Sequence, residues 1–126
     1  MSTDIQSYLE ISKLVGESEY VIDDIVVATG TDSQEYDSVT AAKTADTLLS
    51  MADINAAFVI IKRTDGVIAI SARSSGTINV QVVMEMLGGG GHFTNAATQL
   101  SDSTIAQAKE QLLEAINKQL TEGTEE

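Results

Sequence analysis

The chain contains no cysteine and no proline. Without cysteine there can be no disulfide frame and no thiolate metal site, and the absence of proline suits a helix-rich domain or a piece of a larger protein. No stretch approaches the roughly 18 apolar residues that span a bilayer, and the opening Met1-Ser2-Thr3-Asp4 is neither basic nor apolar, so it does not read as a signal peptide. The expectation is a cytoplasmic domain without direct membrane contact. Basic residues are also scarce, with 7 Lys and Arg against 19 Asp and Glu and a net charge of −12. That balance excludes a general binder of long duplex nucleic acid, which needs a basic face. Histidine occurs once, as His92.

What is present suffices for one domain. The 126 residues are 43% hydrophobic, enough to close a single core without covalent staples. The charge is uneven. Residues 1–40 hold nine acids and one base, Lys13, whereas residues 54–101 hold Lys62, Arg63 and Arg73 against Asp65 and Glu85. Only that second stretch could welcome a small anion.

Apolar spacing predicts an amphipathic helix over 5–19, with Ile5, Tyr8, Leu9, Ser12 and Leu14 or Val15 on one face. Ile25 to Thr29 reads as a short strand, followed by an acidic loop over 31–37. A helix over 38–51 has Ser38 as its N-cap and Ala42, Ala45, Leu48 and Leu49 as its apolar face. Ala56 to Arg63 is nearly continuous apolar residue, as a strand covered on both faces would be. Thr64-Asp65-Gly66 signals a hairpin into a strand over 67–73. A helix over 79–87, a strand over 96–100 and a helix from 101–103 to about Leu120 complete the chain, with 121–126 as an acidic tail. The order is α-β-α-β-β-α-β-α. It implies a single α/β domain, a mixed sheet of about four to five strands with helices packed on it.

Four consecutive glycines, Gly88 to Gly91, precede His92 at the junction between the 79–87 helix and the last strand. Glycine is costly to order, so a run needs backbone at positive φ or in close approach to something. A helix-to-strand reversal accounts for one or two glycines but hardly for four. Exposed amides in such a loop can form an anion nest. The order helix, glycines, strand excludes a Walker A or Rossmann loop, which runs from strand to helix. By strand alternation Ser71 and Arg73 share a face, and a guanidinium fits a phosphate bidentately. The free N–H groups at the start of the 79–87 helix also favour anions. That helix is about 13 Å long, so the path of the loop decides whether one ligand reaches both its ends.

Singly, each residue has an ordinary account. Arg73 could be a surface arginine, Ser71 and Ser74 turn caps, and His92 a structural histidine bonded to backbone. Together they favour anion binding. Catalysis is a different matter, because phosphodiester hydrolysis generally calls for metal-activated water. One histidine, no cysteine and scattered acids supply no metal cluster. The densest acid pair, Asp23-Asp24, reads as a solvated turn. By its residues this chain binds and does not cut.

These residues resemble a known family. Ile70-Ser71-Ala72-Arg73-Ser74, Gly76-x-Ile78-Asn79-Val80-Gln81 and Met84-Glu85-x-Leu87-Gly88-Gly89-Gly90-Gly91-His92-x-Thr94-Asn95-Ala96-Ala97-x-Gln99 are similar to the DHH-associated C-terminal domain. The match is greatest with the version that ends the membrane-anchored cyclic-di-AMP phosphodiesterases of Gram-positive bacteria. Ala45-Asp46-Thr47-Leu48-Leu49 and Ala57-Phe58-Val59 agree as well, so the resemblance covers about residues 20–120. It implies a substrate-binding domain at 21–121, preceded over 1–20 by a linker helix from an upstream DHH domain, and an acidic tail at 122–126. Manganese ions in that upstream domain would hydrolyse the cyclic dinucleotide to a linear one, and no cofactor is implied in this segment. The resemblance implies that Arg73 and Ser74 contact phosphate or base, that Gly89, Gly90 and Gly91 donate backbone N–H groups, and that His92 reaches a phosphate. Ser71, Thr94 and Asn95 are weaker carry-overs. Ser75 stands where an apolar residue is expected. The implied partners are a cyclic or short linear dinucleotide and the DHH domain, in a membrane-anchored parent that allows a homodimer. Two alternatives stay open: the same domain in a RecJ or nanoRNase-like exonuclease acting on short oligonucleotides, and a regulatory or dimerisation module.

Overall fold

The computed structural model describes residues 4–125. It is an α/β domain in which one mixed sheet carries helices on both faces. In chain order the elements are α1 (Ile5–Gly16), β1 (Glu19–Ile22), β2 (Ile25–Thr29), β3 (Glu35–Tyr36), α2 (Ser38–Leu49), β4 (Ala56–Arg63), β5 (Ile68–Ser74), α3 (Val80–Met86), β6 (Gly90–His92), β7 (Asn95–Leu100) and α4 (Ile105–Glu125). The strand order is β1-β2-β4-β5-β7-β6, with β3 paired to the far end of β4. β2 and β3 run parallel to β4, and every other neighbour is antiparallel.

The sheet has more strands than the four to five expected. β1, β3 and β6 are the additional ones, read from sequence as a lead-in, a loop and a glycine run. None exceeds four residues, too short for alternation to show. The long elements fall where the patterns put them. β4 buries six residues in succession from Ala56 to Ile61, because helices cover both its faces.

Strand alternation divides the core in two. Phe58, Ile60, Ile68, Ile70 and Ala72 face α3 and α4, where they meet Val83, Met84, Ala108, Leu112 and Ile116. Ala57, Val59, Ile61 and Ala69 face the other way, against Leu14 of α1 and Ala41, Ala45 and Leu48 of α2. Ala42 and Leu49, expected on the buried face of α2, are only half-buried, and Thr40, Ala41 and Thr44 take their place. Thr44 is tolerated there because its hydroxyl donates to the Thr40 carbonyl.

Caps set the helix ends. Asp37, rather than Ser38, caps α2, its Oδ1 accepting from the Val39 N–H at 2.7 Å. Thr104 and Gln107 exchange bonds as a capping box, so α4 starts at Ile105, just after the 101–103 stretch expected to begin it. α4 continues through Glu125, so the expected tail is helical as far as that residue, and Glu126 lies outside the described residues. α1 is peripheral. It buries Leu14, yet Ile5, Tyr8 and Leu9 of its expected apolar face are exposed.

Candidate functional site

α1 and α2 cover β2, β4 and part of β5, and the β5-β7-β6 half of that face is left open. The register shows what stands on it. Arg73 is opposite Asn95, and Asn95 is opposite His92. Directly opposed residues point to the same side of a sheet, so these three form one row across three strands. Arg73 also pairs with Ala57, which faces α2. The row therefore lies on the open half of the α2 face. Strands are about 4.8 Å apart, so Arg73 and His92 are separated by about 10 Å.

The next row on this face is Ser71, Ala97 and Gly90. Its side chains are all small, which makes a shallow floor beside the polar row. Farther along, Gln99 is opposite Ala69. A cleft of about 460 Å³ opens here, lined by Ser38 at the start of α2, Arg63, Ser71, Gly88, Gly89 and Gln99. Arg63 is already engaged within the β4–β5 turn. It ion-pairs with Asp65, and that hydrogen bond is the main cause holding the Asp65 carboxyl below the usual carboxylate range. Arg73 is tied from α2, with its Nε donating to Asp46 Oδ1 at 2.8 Å and its Nη1 to the Ala72 carbonyl at 3.0 Å. Its side chain is 14% exposed against 61% for Asp46.

Each glycine has its own role. Gly88, at φ +85°, is the left-handed residue after α3. Its N–H donates to the Glu85 carbonyl and that of Gly89 to the Met84 carbonyl, at 3.1 and 2.8 Å, which is the Schellman pattern. A Cβ at Gly89 would lie 2.5 Å from Thr98 Cβ and closer still to the Ala97 carbonyl oxygen. One at Gly91, where φ is +141°, would meet Ala96 Cα at 2.5 Å. Three of the four are thus demanded by the fold, against the one or two expected. Gly90 is different, because a Cβ there would enter open space. The Gly89 N–H is already used inside the helix end, so it is not one of the amides left for an anion.

The loop does return along α3. The turn between β6 and β7 reaches the start of that helix, where the Phe93 carbonyl accepts the Val80 N–H at 3.0 Å. Asn79 Oδ1 accepts the Val82 N–H. Those two amides are therefore occupied by the chain itself and are not free for an anion.

Ser74 stands apart from the row. It pairs with Ala56, so it faces the α3 and α4 side, is 4% exposed, and its Oγ accepts the N–H groups of Gly76 and Ile78 at 3.0 and 3.4 Å. Thr94 lies in the turn between β6 and β7, where its carbonyl accepts the Ser74 N–H. Ser75 donates to Asn55, which in turn bonds Asp24, so it belongs to a polar cluster at the end of the sheet. Asp23, at φ +45°, and Asp24 form the turn between β1 and β2. The structure accordingly gathers Arg73, Asn95, His92, Ser71 and Gly90, and sets Ser74 and Thr94 aside. Sequence reading gave no role to Asp46, 27 residues before the arginine it holds, because no spacing rule links α2 to β5.

Among the described residues no group of three His, Cys, Asp or Glu side chains could hold a metal ion. No described helix is long and apolar enough to cross a membrane.

The family model described as the DHHA1 domain matches residues 20–122. The chain is 52% identical over 117 residues to the cyclic-di-AMP phosphodiesterase PdeA of Listeria monocytogenes, covering 93% of this chain and 18% of that protein. It therefore spans less than a fifth of that relative's length. A 60-residue stretch, 48% of this chain and 18% of the relative, is 42% identical to the bifunctional oligoribonuclease and PAP phosphatase NrnA of Thermus thermophilus. Among solved structures, an exopolyphosphatase-related protein from Bacteroides fragilis shares the fold. Its TM-score is 0.80 over 93% of this chain and 36% of that one, at 17% identity.

Proposed function

Because the chain belongs to the DHHA1 domain family, we propose that it is the substrate-gripping domain of a cyclic-di-AMP phosphodiesterase, working beside a DHH domain that carries the chemistry. The observation that carries this reading is the row of Arg73, Asn95 and His92 over a floor of Gly90, Ala97 and Ser71. Arg73 offers a charged planar donor, Asn95 neutral donors and an acceptor, and His92 a ring nitrogen. The small floor lets a flat or bulky group come close to the backbone. Such a surface suits a nucleotide phosphodiester, and its small size suits a dinucleotide better than a polymer.

Among the described residues none form a set that fits a metal centre. We assign two manganese ions to the DHH domain, where they would activate the attacking water. No step of the hydrolysis is derived through this chain. Its contribution is to hold a phosphodiester in place, neutralise part of its charge and restrict its motion, which raises the effective concentration of the reacting groups. We place the domain in the cytoplasm, in a parent anchored to the membrane by other segments.

The test is turnover of cyclic-di-AMP by the longer enzyme carrying this domain. Losing two hydrogen-bonding groups aimed at a charged ligand weakens its hold by roughly 100-fold or more. Replacing Arg73 and His92 together by alanine should cut kcat/KM by that order while manganese content stays unchanged. Undiminished turnover would overturn the assignment. A second reading, a short-oligonucleotide exonuclease, is favoured by the likeness to the Thermus oligoribonuclease. Comparing rates on cyclic and linear dinucleotides separates the two.

A further inference from the structure

We propose that Asp46 is the positioning residue for Arg73, holding its guanidinium ready for a phosphate rather than competing with the phosphate for it. The inference rests on the reading of the Arg73, Asn95 and His92 row as the anion site.

The geometry points this way. Arginine has five N–H donors in a fixed plane. Asp46 takes the Nε–H at 2.8 Å and the Ala72 carbonyl takes one N–H of Nη1 at 3.0 Å. Both rotations that would swing the plane away are thereby restrained, and three donors remain, two on Nη2 and one on Nη1. A phosphate bound in a fork needs two donors in parallel, and the remaining three supply them without displacing Asp46. The pair joins α2 to β5 across the boundary of the open face. The helix that covers half of the sheet therefore aims the arginine on the other half.

The carboxylate also sets a local negative charge beside the site, which by itself repels an anion. Its exposure decides how far that matters. With 61% of the Asp46 side chain in solvent, water screens its charge toward a second anion, while the direct hydrogen bond to Nε is retained. An arginine already ordered loses less freedom on binding, and ordering a side chain of this kind is worth roughly 3- to 10-fold in affinity. Restraint and repulsion predict opposite signs.

The experiment compares Asp46→Ala, Asp46→Asn and Arg73→Ala in the longer phosphodiesterase, reading KM, kcat and melting temperature. Asp46→Ala should raise KM roughly 3- to 10-fold with little change in kcat or melting temperature. Asp46→Asn keeps an acceptor oxygen for Nε and should recover most of the loss. In the Arg73→Ala background, Asp46→Ala should add nothing further. As an independent readout, the Arg73 Nε–H of the 126-residue chain should exchange with solvent faster in Asp46→Ala than in the parent sequence. An unchanged or lowered KM for Asp46→Ala, with Arg73→Ala impaired, overturns the positioning role and leaves the site reading intact. If Arg73→Ala is itself without effect, the site reading falls and the inference falls with it.

Discussion

Gly90 is the one glycine of its run for which the fold makes no demand. Gly88 needs positive φ, and Gly89 and Gly91 need the absence of a Cβ against β7. Alanine substitution should therefore sort the run. At Gly88 it should cost about 1 kcal/mol, from strain in the left-handed region. At Gly89 or Gly91 the backbone must shift, costing about 2 kcal/mol or more. Gly90→Ala should leave stability within about 0.5 kcal/mol, while its methyl projects from the floor beside Ser71 and Ala97 and raises KM roughly tenfold. Thermal denaturation together with turnover would check this. A purely structural glycine loop predicts that no variant in the run affects the ligand without also affecting stability. The run as a whole stands out in the amino-acid order. It could not rank its members, because a glycine's demand comes from what sits opposite it, and the pairing of β6 with β7 becomes visible only in the folded chain.

At the scale of elements, Ser74 illustrates how alternation separates neighbours. It follows Arg73 directly, so it points to the other side of the sheet, where its hydroxyl organises the turn from β5 into α3. Ser74→Ala removes the acceptor from two backbone N–H groups, one of them on buried Ile78. The expected loss is about 1–2 kcal/mol of stability, with ligand affinity per folded molecule retained. A urea titration paired with a binding curve tests both halves. The long elements were legible because their patterns are strong: the unbroken apolar run of β4, the hairpin at Asp65-Gly66 and the heptad-like spacing of Ile105, Ala108, Leu112 and Ile116. β3 and β6 escaped because two- and three-residue strands carry no period, and one of them is mostly glycine. α1 was legible as a helix but not in its burial. Spacing shows that a face is apolar, not that another element covers it.

The whole molecule is a sheet with one face fully roofed and the other roofed by half. The open half carries the polar row on a shallow floor, and nothing among the described residues stands over it. On the proposed function the DHH domain supplies the second wall, and a site with one wall leaves much of a ligand in water. The 126-residue chain alone should therefore bind cyclic-di-AMP at least roughly 100-fold more weakly than a longer enzyme carrying both domains. Calorimetry of both would measure the difference, and equal affinity would mean that the second wall contributes nothing. The charge distribution of the sequence singles out residues 54–101 as the stretch open to an anion, but only the register shows Arg73, Asn95 and His92 in one row, since they come from three strands.

β6 has one more consequence. An outermost strand offers unpaired backbone groups to any extended chain that meets it, the usual starting point for strand-by-strand aggregation. Here that edge is three residues long, two of them glycine, and it ends in a tight turn. A strand so short and so lacking in side chains is a poor template for another. The segment that keeps the open half of the sheet shallow thereby also makes the β6 edge a poor place for a second copy to pair.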